Sequence, residues 1–133
     1  DCCDNCESEN KIKINEFNCY GNCYKTDIIN LYGTAIIYFN IDNLGIEETE
    51  ITANYKCNKL NSGEILFESY NLKSNGYFSD SLNGRTILNG NSAITYKIEL
   101  TGKPNINTEL ICNVNFKFQE NTVQQDFYVI VKA

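Results

Sequence analysis

Alternation of apolar and polar side chains constrains the fold of this chain more than any other feature of its sequence. In ELICNVNFKFQ, residues 109–119, the apolar side chains on one face are Leu110, Cys112, Val114, Phe116 and Phe118. In SAITYKIEL the corresponding positions are Ile94, Tyr96, Ile98 and Leu100. Because successive side chains of a β-strand point to opposite faces, this period of two predicts strands with one buried face.

The same period recurs along the chain and predicts eight strands. They are expected at residues 25–31, 34–41, 46–57, 64–72, 85–88, 92–101, 109–119 and 123–132. DNLG, NSG, SNG, LNG, NGN and GKPN lie between the runs, and NCYGNCYK also has the composition of a turn. No segment has a sustained helical stripe of apolar residues. The sequence therefore predicts an all-β fold.

A chain of 133 residues has the size of one domain with its own core. Eight strands in one domain predict a single antiparallel β-sandwich, either a jelly roll or, as the alternative, an immunoglobulin-like topology. The first ten residues, DCCDNCESEN, are polar and acidic. We therefore expect residues 1–10 to form an extended N-terminal arm and residues 11–133 to form the sandwich domain.

Charge and composition argue against several functions. A net charge of −6 disfavours nucleic acid and anionic membrane surfaces as partners. Apolar runs such as AIIYF are too short to cross a bilayer. The chain has no histidine, which removes Ser-His-Asp and Cys-His catalysis, and a carboxylate run such as Glu47, Glu48 and Glu50 is typical of a solvated face. We expect no enzyme activity, no cofactor and no metal site.

Seven cysteines indicate a protein that folds in an oxidising compartment. Because this number is odd, pairing within the chain leaves at least one cysteine over. Cys57 and Cys112 both face inward in the predicted alternation, so they either form an inter-sheet disulfide or pack as small apolar residues. Zinc binding by four thiolates is a weaker alternative, because Cys2 is adjacent to Cys3 and the chain has no histidine.

The adjacent cysteines Cys2 and Cys3 point to bonds with other molecules. Neighbouring cysteines rarely bond each other, since the disulfide dihedral strains the peptide between them. The arm carries almost no apolar side chain with which to dock on its own domain. From Cys3 to Ile12 it reaches about 30 Å at ~3.3 Å per residue, which nearly matches the ~35 Å diameter of such a domain. Head-to-tail bonds that do not close a ring would give a filament.

The order of these features resembles that of the endospore-appendage pilins of spore-forming bacteria. The resemblance rests on the CC pair in a short N-terminal segment and on a cysteine before the first body strand, either Cys19 or Cys23. TAIIYFN follows about a dozen residues later, and GNSAITYKI and ELICNVNFKF follow near the end. In order and rough spacing these features cover most of residues 2–119.

This resemblance implies a jelly-roll subunit that polymerises with copies of itself into a helical fibre, extracellular or on the spore surface. Carried over to this sequence, Cys2 and Cys3 are the connector thiols. Cys112 and one of Cys19 or Cys23 are the receiving thiols of neighbouring subunits. Subunits in such fibres also add strands edge to edge.

Cys6, Cys57 and a second cysteine in CYGNC, either Cys19 or Cys23, are additional to the pattern of that family. Cys6 and Cys57 are candidates for an intramolecular or an extra disulfide. The residues themselves leave a second function open, namely a secreted β-sandwich adhesin or binding module that is stapled internally. In that case the Cys57–Cys112 pair closes the core.

Overall fold

The computed structural model describes residues 11–59, 71–81, 83–102 and 104–133. Over these ranges the chain forms nine strands joined by turns and bends, without a helix. In chain order the strands are β1 (Ile12–Ile14), β2 (Asn18–Lys25), β3 (Ile29–Asn43), β4 (Thr49–Lys59), β5 (Leu72–Phe78), β6 (Arg85–Leu88), β7 (Ser92–Gly102), β8 (Thr108–Phe118) and β9 (Asn121–Val131). The predicted all-β fold is confirmed.

The long strand β3 joins the two layers of the sandwich. The strands follow the order β5-β7-β3-β9-β8-β4-β6, and β1 and β2 pair with β3 beside this path. Residues 29–31 of β3 pair with β9 in parallel, whereas residues 35–43 pair with β7 antiparallel. β3 therefore passes from the layer that contains β9, β8, β4 and β6 into the layer that contains β7 and β5. The parallel contact with β9 amends the predicted antiparallel arrangement.

The inward faces of both layers form one core, and the predicted alternation is confirmed in β7 and β8. The five apolar positions predicted for β8 are all buried, as are Tyr96, Ile98 and Leu100 of β7. The ring of Phe39 in β3 packs edge-on against Phe116, with 5.6 Å between the ring centroids. Such an aromatic contact adds about 0.5–1.5 kcal/mol to the stabilisation from burial.

Most of the predicted strands match strands of the structure. Residues 46–57, 85–88, 92–101, 109–119 and 123–132 correspond to β4, β6, β7, β8 and β9. The arm predicted at residues 1–10 and most of the strand predicted at residues 64–72 lie outside the described residues.

Three predictions of local structure are wrong. NCYGNCYK, predicted as a turn, is the strand β2. Residues 25–31, predicted as one strand, contain the turn between β2 and β3. Residues 29–31 belong to β3, which also contains the strand predicted at residues 34–41. The SNG sequence, predicted as a turn, lies inside β5. Glycine and asparagine are typical of turns, but in NCYGNCYK and SNG the glycines lie where a Cβ atom would come close to residues of other strands.

Gly76 in β5 illustrates that use of glycine. A Cβ atom at Gly76 would lie 2.7 Å from Cε1 of Tyr55, and it would also overlap the hydroxyl of Tyr96. Only a residue without a side chain leaves room for both rings. The glycine therefore reports a close approach between elements that are distant in the sequence.

Candidate functional site

β2 is an edge strand of the sandwich. It pairs antiparallel with β3 along its length, and β3 is its one strand partner among the described residues. An edge strand presents a row of backbone N–H and C=O groups to a further strand. In this position β2 can pair with a strand of another chain.

The β2–β3 hairpin bends sharply where β3 changes layer. Gly21 pairs with Ala35 and Cys23 pairs with Leu31, so one residue of β2, Asn22, lies opposite residues 32–34 of β3. Gly21 has a φ of 100°, a left-handed value that favours glycine. We call residues 21–23 and 32–34 the hairpin corner.

A disulfide spans the hairpin corner on its inner side. It joins Cys19 to Cys23, whose Cα atoms are 6.4 Å apart. A straight strand at ~3.3 Å per residue would separate these Cα atoms by about 13 Å, so the bond is compatible only with the bent form of β2. Both cysteines are partly buried and pack against the core from its edge.

Four tyrosines lie on the outer side of the same hairpin, and we call them the tyrosine face. The rings of Tyr20 and Tyr38 are 5.7 Å apart between centroids, and those of Tyr24 and Tyr32 are stacked at 6.3 Å. Tyr20, Tyr24 and Tyr32 are each about half exposed. Surfaces rich in tyrosine and asparagine are typical of protein recognition, because tyrosine offers a rigid and amphipathic contact area. The tyrosine face is not among the predicted sites, because a turn at NCYGNCYK would not place Tyr20 and Tyr24 on one face of a strand.

The first described strand, β1, pairs with the end of β3 that is farther from the hairpin corner. β1 pairs with residues 41–43, and the carbonyl of Lys11 accepts a hydrogen bond of 3.0 Å from the N–H of Leu44. Between β1 and β2, the Asn15 side chain donates hydrogen bonds of 3.0 Å to the Asn40 carbonyl and the Asp42 carboxylate. Along β3, Asn43 and Ala35 are separated by about 25 Å at ~3.3 Å per residue. The point at which residues 1–10 join the domain is therefore far from the hairpin corner.

Phe17 immediately precedes β2 and Lys25 is its last residue, and contacts of these two residues hold both ends of the strand against the domain. The Phe17 ring packs on Phe39 and Phe127 at centroid distances of 6.0 and 5.4 Å. The Lys25 ammonium lies 4.9 Å from the centroid of the Phe17 ring and 3.3 Å from the Glu16 carboxylate. The aromatic contacts contribute most here, because an exposed ion pair contributes little.

The second disulfide joins Cys57 to Cys112 inside the core. These residues lie directly opposite each other on β4 and β8 and are 5% and 1% exposed. The prediction that both face inward is confirmed. The predicted inter-sheet position is wrong, because β4 and β8 are neighbours within one layer. Alternation shows which face a residue occupies, but it does not show which strands pair.

The predicted site residues therefore fall into two groups. Cys2, Cys3 and Cys6 lie outside the described residues. The receiving thiols that the resemblance implies, Cys19, Cys23 and Cys112, are all bonded within the chain in this structure.

No ligand set for zinc is assembled in the part of the chain that the structure describes. The sulfurs of Cys19 and Cys23 are joined to each other and are therefore not thiolates. Within the described ranges, no group of three or more Cys, Asp or Glu side chains is placed to hold a metal ion. The same residues contain no helix long and apolar enough to span a membrane.

No protein-family model matches this chain, and no curated protein is significantly similar to it in sequence. Among solved structures, it is similar to the cupredoxin domain of amoB from Nitrosocaldus yellowstonii, with a TM-score of 0.53 and 8% identity over 92% of this chain and 87% of that one. It is also similar to a family 123 glycoside hydrolase from Clostridium perfringens, with a TM-score of 0.57 and 9% identity over 90% of this chain but 27% of the hydrolase. At such identities the likeness establishes the fold alone, a β-sandwich.

Proposed function

We propose that this chain is a structural subunit that self-assembles into a disulfide-cross-linked fibre. The cysteine count carries the proposal. Two disulfides within the domain use four of the seven cysteines. The remaining three are Cys2, Cys3 and Cys6. Three cysteines cannot all pair within one chain, so at least one of them has no partner in its own chain and is available for a bond to a second molecule.

The geometry of the domain is compatible with a head-to-tail fibre. Residues 1–10 join the domain at the Asn43 end of β3. This end lies about 25 Å along the strand from Ala35, which borders the hairpin corner. A bond from the arm of one copy to the corner of the next is a head-to-tail contact. Contacts of this kind give an open helical assembly when the rotation does not close a ring.

The two intrachain disulfides are typical of a protein that folds outside the cytosol. We therefore place the fibre outside the cell. A spore-surface location rests on the resemblance to the endospore-appendage pilins. Edge-to-edge pairing through β2 is the second contact that we propose between subunits.

Gel electrophoresis with and without reductant tests the proposal. We expect the purified, air-oxidised 133-residue chain to give a ladder, or material that does not enter the gel, in the absence of reductant. With reductant this material should collapse to a single band at 15.2 kDa. Negative-stain electron microscopy of the oxidised sample should show fibres.

The matched variants separate the arm cysteines from other effects of changing the arm. Cys2→Ser/Cys3→Ser/Cys6→Ser should run as a folded monomer in both lanes. A control that changes three other residues of the same segment, Asn5→Ser/Ser8→Ala/Asn10→Ser, should keep the ladder. A wild-type chain that is monomeric in both lanes contradicts the fibre, and so does a ladder that persists in the cysteine variant.

A secreted, internally stapled binding module is the second candidate, and the tyrosine face favours it. Tyr24 and Tyr32 present two stacked and half-exposed rings, and within the described residues neither ring has an aromatic partner from the core. This module would be the better description if the wild-type chain stays monomeric. The change Tyr24→Ala/Tyr32→Ala should then abolish binding of its partner while the domain remains folded.

A further inference from the structure

The two disulfides of the domain differ in how a reactant can approach them. Cys57 and Cys112 are 5% and 1% exposed, and they lie opposite each other on the paired strands β4 and β8 with their side chains in the core. Cys19 and Cys23 are partly buried, and they lie on the edge strand β2 at its bend. Among the described residues no strand pairs with the other side of β2, so an external group can approach this partly buried bond from the sheet edge without separating paired strands.

This difference matters for thiol–disulfide exchange. The attacking group is a thiolate, and its rate depends strongly on access to the sulfur atom. To reach the Cys57–Cys112 bond, a charged thiolate would have to enter an apolar core, which is unfavourable for any unpaired charge. At the Cys19–Cys23 bond the thiolate keeps part of its hydration during the attack.

We propose that the Cys19–Cys23 disulfide is an exchange site that accepts a thiolate from another molecule, whereas the Cys57–Cys112 disulfide remains intact. The incoming thiolate attacks one sulfur of the pair and forms a mixed disulfide with it. The other cysteine leaves as a thiolate and takes a proton from water. One S–S bond forms and one breaks, so the step requires no oxidant.

The biological use of this site rests on the proposed function, and the arm of a second copy supplies the thiolate. An already oxidised domain can then be joined covalently to its neighbour at the hairpin corner. The receiving residue is Cys19 or Cys23, and Cys112 has no part in the bond. The same step removes the crosslink that spans the bend of β2.

The first experiment tests the chemistry on a monomer. Cys2→Ser/Cys3→Ser/Cys6→Ser is incubated with reduced glutathione, quenched by alkylation at intervals and mapped by peptide mass spectrometry. We expect a glutathione mixed disulfide at Cys19 or Cys23 at least about tenfold faster than at Cys57 or Cys112. Equal rates at the two disulfides, or adducts that form only after denaturant is added, overturn the proposal.

A matched variant controls for reaction at other places. With Cys19→Ser/Cys23→Ser added to the same background, the fast adduct should vanish while the circular dichroism spectrum of the domain is retained. A fast adduct that persists in this variant overturns the assignment to the Cys19–Cys23 bond.

The second experiment identifies the source of the thiolate in assembly. Cross-linked wild-type material is digested without reductant, and the disulfide-linked peptides are mapped. We expect peptides from residues 1–10 linked to Cys19 or Cys23, together with an intact Cys57–Cys112 peptide. Cross-links through Cys112 would overturn the exchange site but leave the fibre standing. A wild-type chain that stays monomeric yet takes up glutathione at Cys19 or Cys23 removes the fibre but leaves the exchange site standing.

Discussion

At the residue scale, Tyr96 shows how the two layers meet. Its ring packs against Phe78 and Phe116, at centroid distances of 5.0 and 5.7 Å, and the side chain is 1% exposed. Nearby, the Tyr55 hydroxyl and the Ser74 hydroxyl form a hydrogen bond of 2.6 Å. Burial, and secondarily the charge of an ionised Tyr55, raise the pKa of the Tyr96 hydroxyl well above the ordinary tyrosine value.

The raised pKa of Tyr96 predicts a loss of stability in alkaline solution. Above about pH 10 the tyrosine of the unfolded chain releases its proton while folded Tyr96 keeps it, so the unfolded state binds fewer protons. The free energy of unfolding should then fall with rising pH, by up to about 1.4 kcal/mol per pH unit from this residue. Urea titrations over this alkaline range measure the slope.

The variant Tyr96→Phe isolates this contribution, because it removes the ionisable hydroxyl and keeps the ring. We expect a shallower pH slope than in the wild type. Tyr128→Phe, at a residue that is 48% exposed, should leave the slope unchanged. Equal slopes in Tyr96→Phe and the wild type would show that the alkaline transition has another origin.

At the scale of an element, the hairpin corner determines how the sandwich is connected. Residues 32–34 of β3 have no one-to-one partners in β2. Before these residues β3 pairs with β9, and after them it pairs with β7. Irregularities of this kind bend a strand and increase its local twist. The Cys19–Cys23 bond stabilises the bend on the side of β2.

Loss of the Cys19–Cys23 bond should therefore loosen β2 more than the rest of the sheet. In Cys19→Ser/Cys23→Ser we expect amide hydrogen exchange in residues 18–25 to accelerate at least about tenfold, since local opening no longer has to work against the crosslink. The amides of β8 should change little. Unchanged protection across residues 18–25 would show that pairing with β3 alone holds the corner.

At the scale of the whole molecule, the two disulfides constrain the unfolded chain to different extents. Cys57 and Cys112 are separated by 55 positions in the sequence, whereas Cys19 and Cys23 are separated by 4. In the chain-entropy model a longer closed loop removes more freedom from the unfolded state. The core disulfide should therefore stabilise the fold more strongly, although in our proposal it takes no part in assembly.

Paired variants test this difference in stability. In the background without arm cysteines, Cys57→Ala/Cys112→Ala should lower the free energy of unfolding by about 4 kcal/mol, and Cys19→Ala/Cys23→Ala by about 2 kcal/mol. Guanidinium denaturation of the monomers measures both values. A larger loss in the Cys19 and Cys23 variant would reverse the roles that we assign to the two bonds.

The faces of most strands were predictable, because a two-residue period depends only on neighbours in the sequence. For this reason the inward positions of Val114 and Ile98 follow directly from ELICNVNFKF and SAITYKIEL. Glycine was harder to interpret. Gly21 and Gly76 both lie inside strands: Gly21 has a left-handed φ at the bend of β2, and Gly76 is packed closely against Tyr55 and Tyr96.

Local alternation and composition, taken alone, determined that this chain is an all-β domain with one core and an odd number of cysteines. Only the tertiary structure decided which cysteines meet. The side chains of Cys57 and Cys112 are opposed because β4 pairs with β8, and Cys19 reaches Cys23 because β3 changes layer and β2 bends with it. Strand pairing joins segments that are distant along the chain, so the pattern within any single segment carries no record of it.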